Sequence, residues 1–156
     1  MLAPCKDRPM PILDHVGLNV TDYARSKTFY ERALAPLGIT PIMEFGTACG
    51  FGRDGKPELW IGSGQASYQS PEQVSVITPI HVGIRAADRA QVDAFHAAAV
   101  AAGARDFGPP GLRPEYHPEY YGAFVLDPDG HNIEAVCHGA PTTSQIDESR
   151  RKFQNR

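Results

Sequence analysis

Apolar positions along the chain follow two periods, and the order in which they alternate occurs twice. Residues 12–20, ILDHVGLNV, predict a strand. From Tyr23 to Leu37 the pattern turns helical: Phe29, Tyr30, Ala33, Leu34 and Leu37 share one face, Thr21-Asp22 offers an N-cap, and Pro36 and Gly38 mark the stop. Three short strands are expected over about 39–45, 47–53 and 57–62, separated by Gly46 and the turn Arg53-Asp54-Gly55-Lys56. Residues 63–78, rich in Ser, Gln and Gly with Pro71, read as a linker. The order then repeats. Residues 79–86, PIHVGIRA, predict a strand, and Asp88 with Gln91 forms a capping box. Val92, Phe95, Ala99 and Ala102 make one helix face, closed by Gly103. A strand starts at 104–107, a loop rich in Pro, Gly and Tyr covers 108–120, and a hairpin follows around Asp127-Pro128-Asp129-Gly130. The predicted fold is α+β: two βαβββ modules, 11–62 and 79–138, flanked by a polar arm, 1–10, and a polar tail, 139–156.

The repeat acquires chemistry once strand alternation assigns faces. His15-Val16-Gly17-Leu18 and His81-Val82-Gly83-Ile84 open their modules at equivalent places. Val16, Leu18 and Val20 should pack under the first helix, which leaves His15, Gly17 and Asn19 on the opposite face. The same argument places His81, Gly83 and Arg85 opposite Ile80, Val82 and Ile84. In the last strand Glu134 lies opposite Ile133, Ala135 and Cys137. A glutamate in mid-strand is costly to bury unpaired, and a cation would remove that cost. Two imidazoles and one carboxylate form a metal-ligand set, so His15, His81 and Glu134 are expected to converge on one divalent metal. Glu58 ends the first module as Glu134 ends the second. It lies three residues after Gly55, whereas Glu134 lies four after Gly130, and a slip of one residue flips a face. Both placements of Glu58 stay open. The competing explanations are satisfied core histidines, an ion pair between Glu134 and Arg85, a solvated Glu58 after Pro57, and Trp60 as plain core. His131, His138 and His96 are expected at the surface or the solvent edge.

The segment 113–121, RPEYHPEYY, crowds aromatic, basic and acidic groups ahead of a strand. It is expected to line the mouth of a pocket through Tyr116, His117 and Tyr121. Arg113 is suited to a carboxylate or phosphate and His117 to acid–base chemistry. A proline-stiffened surface loop is the simpler alternative.

Composition narrows the classes. The 156 residues carry a net charge of -3 with both signs interspersed, which gives no footprint for nucleic acid or an anionic membrane. Apolar runs are too short to span a bilayer, and MLAPCKDRPM lacks the apolar stretch of a secretory signal. Cys5, Cys49 and Cys137 are scattered, with no C-x-x-C pair, which suits a reducing, cytoplasmic setting, and Cys49 and Cys137, in apolar strand-like text, are expected to be buried thiols.

With these residues in view the chain resembles the vicinal oxygen chelate superfamily, which includes glyoxalase I, extradiol dioxygenases, fosfomycin-resistance enzymes and bleomycin-binding proteins. The resemblance spans about 12–138 and rests on DHVGLNV before a helix with Phe29-Tyr30, on the second HVGI, and on FVLDPDGHNIEAV. It implies a half-open barrel of two modules and the metal ligands His15, His81 and Glu134. Glu58 would be a fourth ligand of the glyoxalase I type. It also implies a homodimer, with modules sometimes exchanged between chains. On that footing the chain is expected to be a metal-dependent glyoxalase-like lyase or isomerase, acting on a small oxygen-chelating substrate through an enediolate or oxyanion, with Glu134 and Glu58 as catalytic carboxylates. The resemblance implies a divalent metal, with Zn, Ni, Fe and Mn all open. An extradiol-type Fe(II) dioxygenase is the first alternative, and Glu58 as a fourth ligand would argue against it. A non-catalytic sequestering protein, stacking a planar compound on Trp60 and the tyrosines, is the second. No thiol cofactor is identified.

Overall fold

The structure, a computed structural model, describes residues 12–139 and Arg151; the expectations for the arm and for most of the tail lie outside them. The first module comprises β1 (Val16–Asn19), α1 (Tyr23–Leu34), a 3-10 turn (Ala35–Leu37), β2 (Thr40–Phe45), β3 (Ala48–Arg53) and β4 (Lys56–Gly62). The linker carries a short helix, α2 (Pro71–Ser75). The second module comprises β5 (His81–Arg85), α3 (Arg89–Ala101), β6 (Arg105–Leu112), β7 (Tyr121–Leu126) and β8 (Asn132–Cys137). Each module forms one open four-stranded mixed sheet, in the orders β1-β4-β3-β2 and β5-β8-β7-β6. In both, the first strand pairs in parallel with the last, and the other pairs are antiparallel.

Local chemistry sets these boundaries. The Asp22 carboxylate accepts from the Arg25 N–H and caps α1, and Asp88 accepts from Gln91 N–H and caps α3. Gly38 ends the first helical segment at φ 71°, a left-handed conformation that glycine adopts without strain. Two expectations change. Residues 63–78 contain a helix because Ser70 and Gln73 form a complete capping box and Pro71 fits its first turn. The strand expected at 104–107 continues to Leu112 through Pro109-Pro110, because β6 is a sheet edge, where a missing N–H disrupts no inner ladder. The loop before β7 is correspondingly shorter.

Each sheet has a helix-packed face and an open face. Leu18, Phe29, Leu34, Phe51 and Ile61 fill the first core, and Val92, Phe95, Val125 and Ile133 the second. Each of these side chains contributes about 1.5–3 kcal/mol through burial. Helices α1 and α3 pack on one another, which joins the cores. Cys49 and Cys137 are buried free thiols, and burial raises both thiol pKa values. Among the described residues no helix is long and apolar enough to cross a membrane.

The turn between β7 and β8 ties the modules together. The buried Asp127 accepts from the Tyr30 hydroxyl of α1 at 2.7 Å and from the N–H groups of Asp129 and His131. Asp129 accepts from the N–H and hydroxyl of Thr21. His131 is 1 % exposed, against the surface position expected for it. Its Nδ1 accepts from Ile80 N–H, and its Nε2 donates to the Asn19 carbonyl at the end of β1. The long-range partners of this turn are invisible to a local pattern, which is why His131 reads from sequence as a turn residue.

Candidate functional site

The open face of the second sheet collects polar groups around Glu134. Parallel pairing sets Gly83 beside Glu134 and His81 beside Asn132. Antiparallel pairing sets Phe124 across from Glu134 and Gly122 across from Val136. Glu134 is 3 % exposed, and its partners are not the Arg85 of the simpler expectation. Oε1 accepts from the Tyr120 hydroxyl, and Oε2 lies 3.2 Å from His81 Nε2. His81 Nδ1 donates to the Asn132 carbonyl at 3.1 Å, which turns Nε2 toward Glu134, either as an N–H donor or as a ligand for a cation between them. Two ligands about 2.1 Å from one metal and at right angles lie about 3 Å apart, so the His81–Glu134 spacing fits a shared cation. Among the described residues the buried Asn132 Oδ1 beside them has no hydrogen-bond partner, which suits a site that takes a donor or a cation.

Gly122 lets Tyr120 reach Glu134. A Cβ there would lie 2.9 Å from Glu134 Oε1 and 3.2 Å from the Tyr120 ring. Burial and the adjacent Glu134 carboxylate push the Tyr120 phenol well above its ordinary range. Its folded pKa is therefore higher than the unfolded value of about 10, so the stability it contributes is whole below that pH and is lost as pH rises through the folded value. In an alkaline absorbance titration, Tyr120→Phe should remove one late-ionising tyrosine. Loss of an early one instead would contradict the geometry.

The first sheet presents a different set. His15 precedes β1, is exposed, and bonds Asp14 Oδ1 through Nδ1 at 2.8 Å, which leaves Nε2 free. Glu58 settles the spacing question by sitting in a β-bulge. The β3–β4 register steps from Phe51–Leu59 to Gly52–Pro57 and leaves Glu58 unpaired and exposed. His15 and Glu58 both line a cleft beside Gly83 and Arg85 of β5. Trp60, not Glu58, pairs with Gly17 as Glu134 pairs with Gly83. The half-buried Trp60 lies over Gly50, where a Cβ would approach it to 2.7 Å, and stacks on the exposed Phe45 at 6.1 Å.

Among the described residues no three His, Cys, Asp or Glu side chains gather at a point where they could hold a metal. His81 meets Glu134, while His15 lies with Glu58 in a cleft that neither His81 nor Glu134 lines. The two pairs come from different sheets, His81 with Glu134 on the second and His15 with Glu58 on the first.

A family model described as the Glyoxalase/Bleomycin resistance protein/Dioxygenase superfamily matches residues 12–135. The chain belongs to that superfamily. A glyoxalase/bleomycin resistance protein from Albidiferax ferrireducens T118 superposes with TM-score 0.66 at 31% identity, covering 81% of this chain and 98% of the other. A glyoxalase-related enzyme from Fulvimarina pelagi gives 0.62 at 20% identity, over 85% and 98% of the two chains. A family enzyme from Burkholderia phytofirmans PsJN gives 0.61 at 20%, over 81% and 98%. No curated protein matches the chain.

Within this superfamily scaffold the segment before β7 divides between the two faces. Tyr116 and His117 pack edge-on against Tyr120, at 4.9 and 5.4 Å between ring centroids, and so sit beside the Glu134 cluster. His117 Nε2 also lies 2.6 Å from His138 Nδ1. Tyr121, expected at the ligand, faces the other way. It donates to Asp93 of α3 and lies under the Arg89 guanidinium, because its register partner is the core residue Cys137. Tyr120 holds the place that sequence reasoning gave to Tyr121. The available signal was Gly122, the small residue two positions on that leaves room for its ring.

Proposed function

We propose that the chain is a metal-dependent glyoxalase-like lyase or isomerase whose site is completed between two copies of the chain. The observation that carries this is His81, with Nδ1 committed to a backbone carbonyl and Nε2 set 3.2 Å from the buried Glu134. His15 of a second copy, with its Nδ1 likewise held and its Nε2 free, would supply the next ligand, and Glu58 would arrive beside it. Exposed apolar side chains on the first sheet's open face favour such a homodimer: Phe45 is 62% and Met43 46% exposed. A divalent cation held there supplies Lewis acidity toward two adjacent oxygens of a small substrate. Glu58 would move a proton next to the substrate carbonyl, since it is an exposed carboxylate at the bulge beside His15. Tyr120 holds Glu134 in orientation, and Trp60, Tyr116 and His117 wall the substrate. We place the protein in the cytoplasm on the strength of its free thiols.

Metal analysis of protein purified without chelator or nickel resin tests the proposal. Zinc, nickel or manganese near one per chain is the expected result. Stoichiometric iron would favour the dioxygenase alternative. A folded, dimeric protein that takes up no metal would sink both and leave the sequestering reading, which the exposed Phe45–Trp60 stack favours. In that case Trp60→Ala should weaken binding of a planar aromatic compound by about tenfold, the order of a lost aromatic contact, as read by calorimetry.

A further inference from the structure

Arg113 ends the strand edge beside this site, and its surroundings are built around its guanidinium. The side chain folds back across β6 rather than outward. A Cβ on Gly108 would lie 3.3 Å from Nη2, and one on Gly111 would lie 3.0 Å from Nη1. Both glycines pair with open-face residues of β7, Gly108 with Phe124 and Gly111 with Gly122. The guanidinium therefore rests on a floor without side chains, and its Cζ lies 5.6 Å from the Phe124 ring centroid. Phe124 in turn stacks on His81 at 6.2 Å. The row Arg113–Phe124–His81 runs across the open face toward Glu134.

The guanidinium's own bonding is incomplete. Nη2 donates to the Pro109 carbonyl at 2.7 Å and Nη1 to the Leu112 carbonyl at 3.3 Å. A guanidinium has five N–H donors in a planar fork, so these two neutral acceptors leave most of them unspent. No ion pair among the described residues includes Arg113. A half-buried cation without a counter-anion is poorly compensated, and an incoming oxyanion bound through the fork relieves that. Pro109 and Pro110 stiffen the strand that carries the cradle, so little order is lost when an anion binds.

We propose that Arg113 is an anion subsite and that the substrate of the site described above carries a carboxylate or a phosphate group, held by this guanidinium while the reacting end reaches His81 and Glu134. The inference deepens the proposed function, but its test does not need a metal. Protein dialysed against EDTA is titrated calorimetrically with sodium benzoate, with benzamide as its uncharged counterpart, and with inorganic phosphate. Saturable binding of benzoate or phosphate is expected, with benzamide about tenfold weaker or worse, the order of a lost charge-assisted pair. Arg113→Gln should reduce anion binding by about the same factor and leave benzamide unchanged. Arg113→Lys keeps charge but not the fork, and should fall between the two, so that a folding defect in the glutamine variant cannot mimic the result. The tighter of benzoate and phosphate tells which group the substrate bears. Benzamide equal to benzoate, an unaltered Arg113→Gln variant, or no saturation by either anion up to about 10 mM would overturn the proposal, that limit being weaker than millimolar affinity. Absence of a metal in the native protein would overturn the proposed function without touching this outcome.

Discussion

Replacing Asp127 by alanine is expected to destabilise the chain by about 3–5 kcal/mol, since it strands three hydrogen-bond donors at about 1–3 kcal/mol each. The donors are the buried Tyr30 hydroxyl and the N–H groups of Asp129 and His131. Tyr30 is wholly buried against Phe29 and Phe51, so water cannot replace the lost acceptor without opening the core between the modules. A fall in melting temperature of roughly 10–15 °C should accompany the loss. Asp127→Asn should be much milder, because its amide oxygen keeps the two backbone N–H groups and the Tyr30 hydroxyl can turn to accept. Thermal denaturation followed by circular dichroism measures both variants. An alanine variant as stable as the parent would mean that the β7–β8 turn does not hold the modules together.

The second large effect concerns the metal. Alanine at His15 or at His81 is expected to abolish stoichiometric metal binding while leaving the melting temperature nearly unchanged. Both imidazoles stand on exposed positions, and the helix-packed cores are untouched. Glu134→Gln should also lose the metal, but with some loss of stability, because the buried Glu134 anchors Tyr120. Elemental analysis beside a melting curve separates the two consequences. A His81→Ala variant that retains a full complement of metal would remove His81 from the ligand set.

Much of the architecture could be read from period alone. The two His-Val-Gly strands alternate cleanly, so their faces follow from Val16, Leu18, Val82 and Ile84, and the Asp22 and Asp88 caps start the helices where the sequence places them. Where that logic ran out, the physical reason is specific. The placement of Glu58 depended on a bulge in which Glu58 is the extra residue of β4, opposite the step from Phe51 to Gly52, and no alternation rule signals it. Tyr120 and Tyr121 are neighbours with opposite fates. Which of them reaches Glu134 depends on where β7 begins, and sequence patterns fix strand ends poorly. His131 and Asp127 looked like turn chemistry because their decisive partners, Asn19 and Tyr30, are in the other module. Alternation likewise says which face His15 and His81 take, not which other sheet that face meets.

If His81 and Glu134 of one copy share a cation with His15 of another, two variants that each lack one of the imidazoles should complement each other on mixing. His15→Ala and His81→Ala proteins are each prepared metal-free, mixed under conditions that exchange subunits, and reloaded. In a twofold dimer with sites shared between copies, each mixed dimer regains one intact site, so metal should return to about a quarter of the parental stoichiometry. Metal that returns only to background, with subunit exchange verified by mass, would mean that no site is shared between copies.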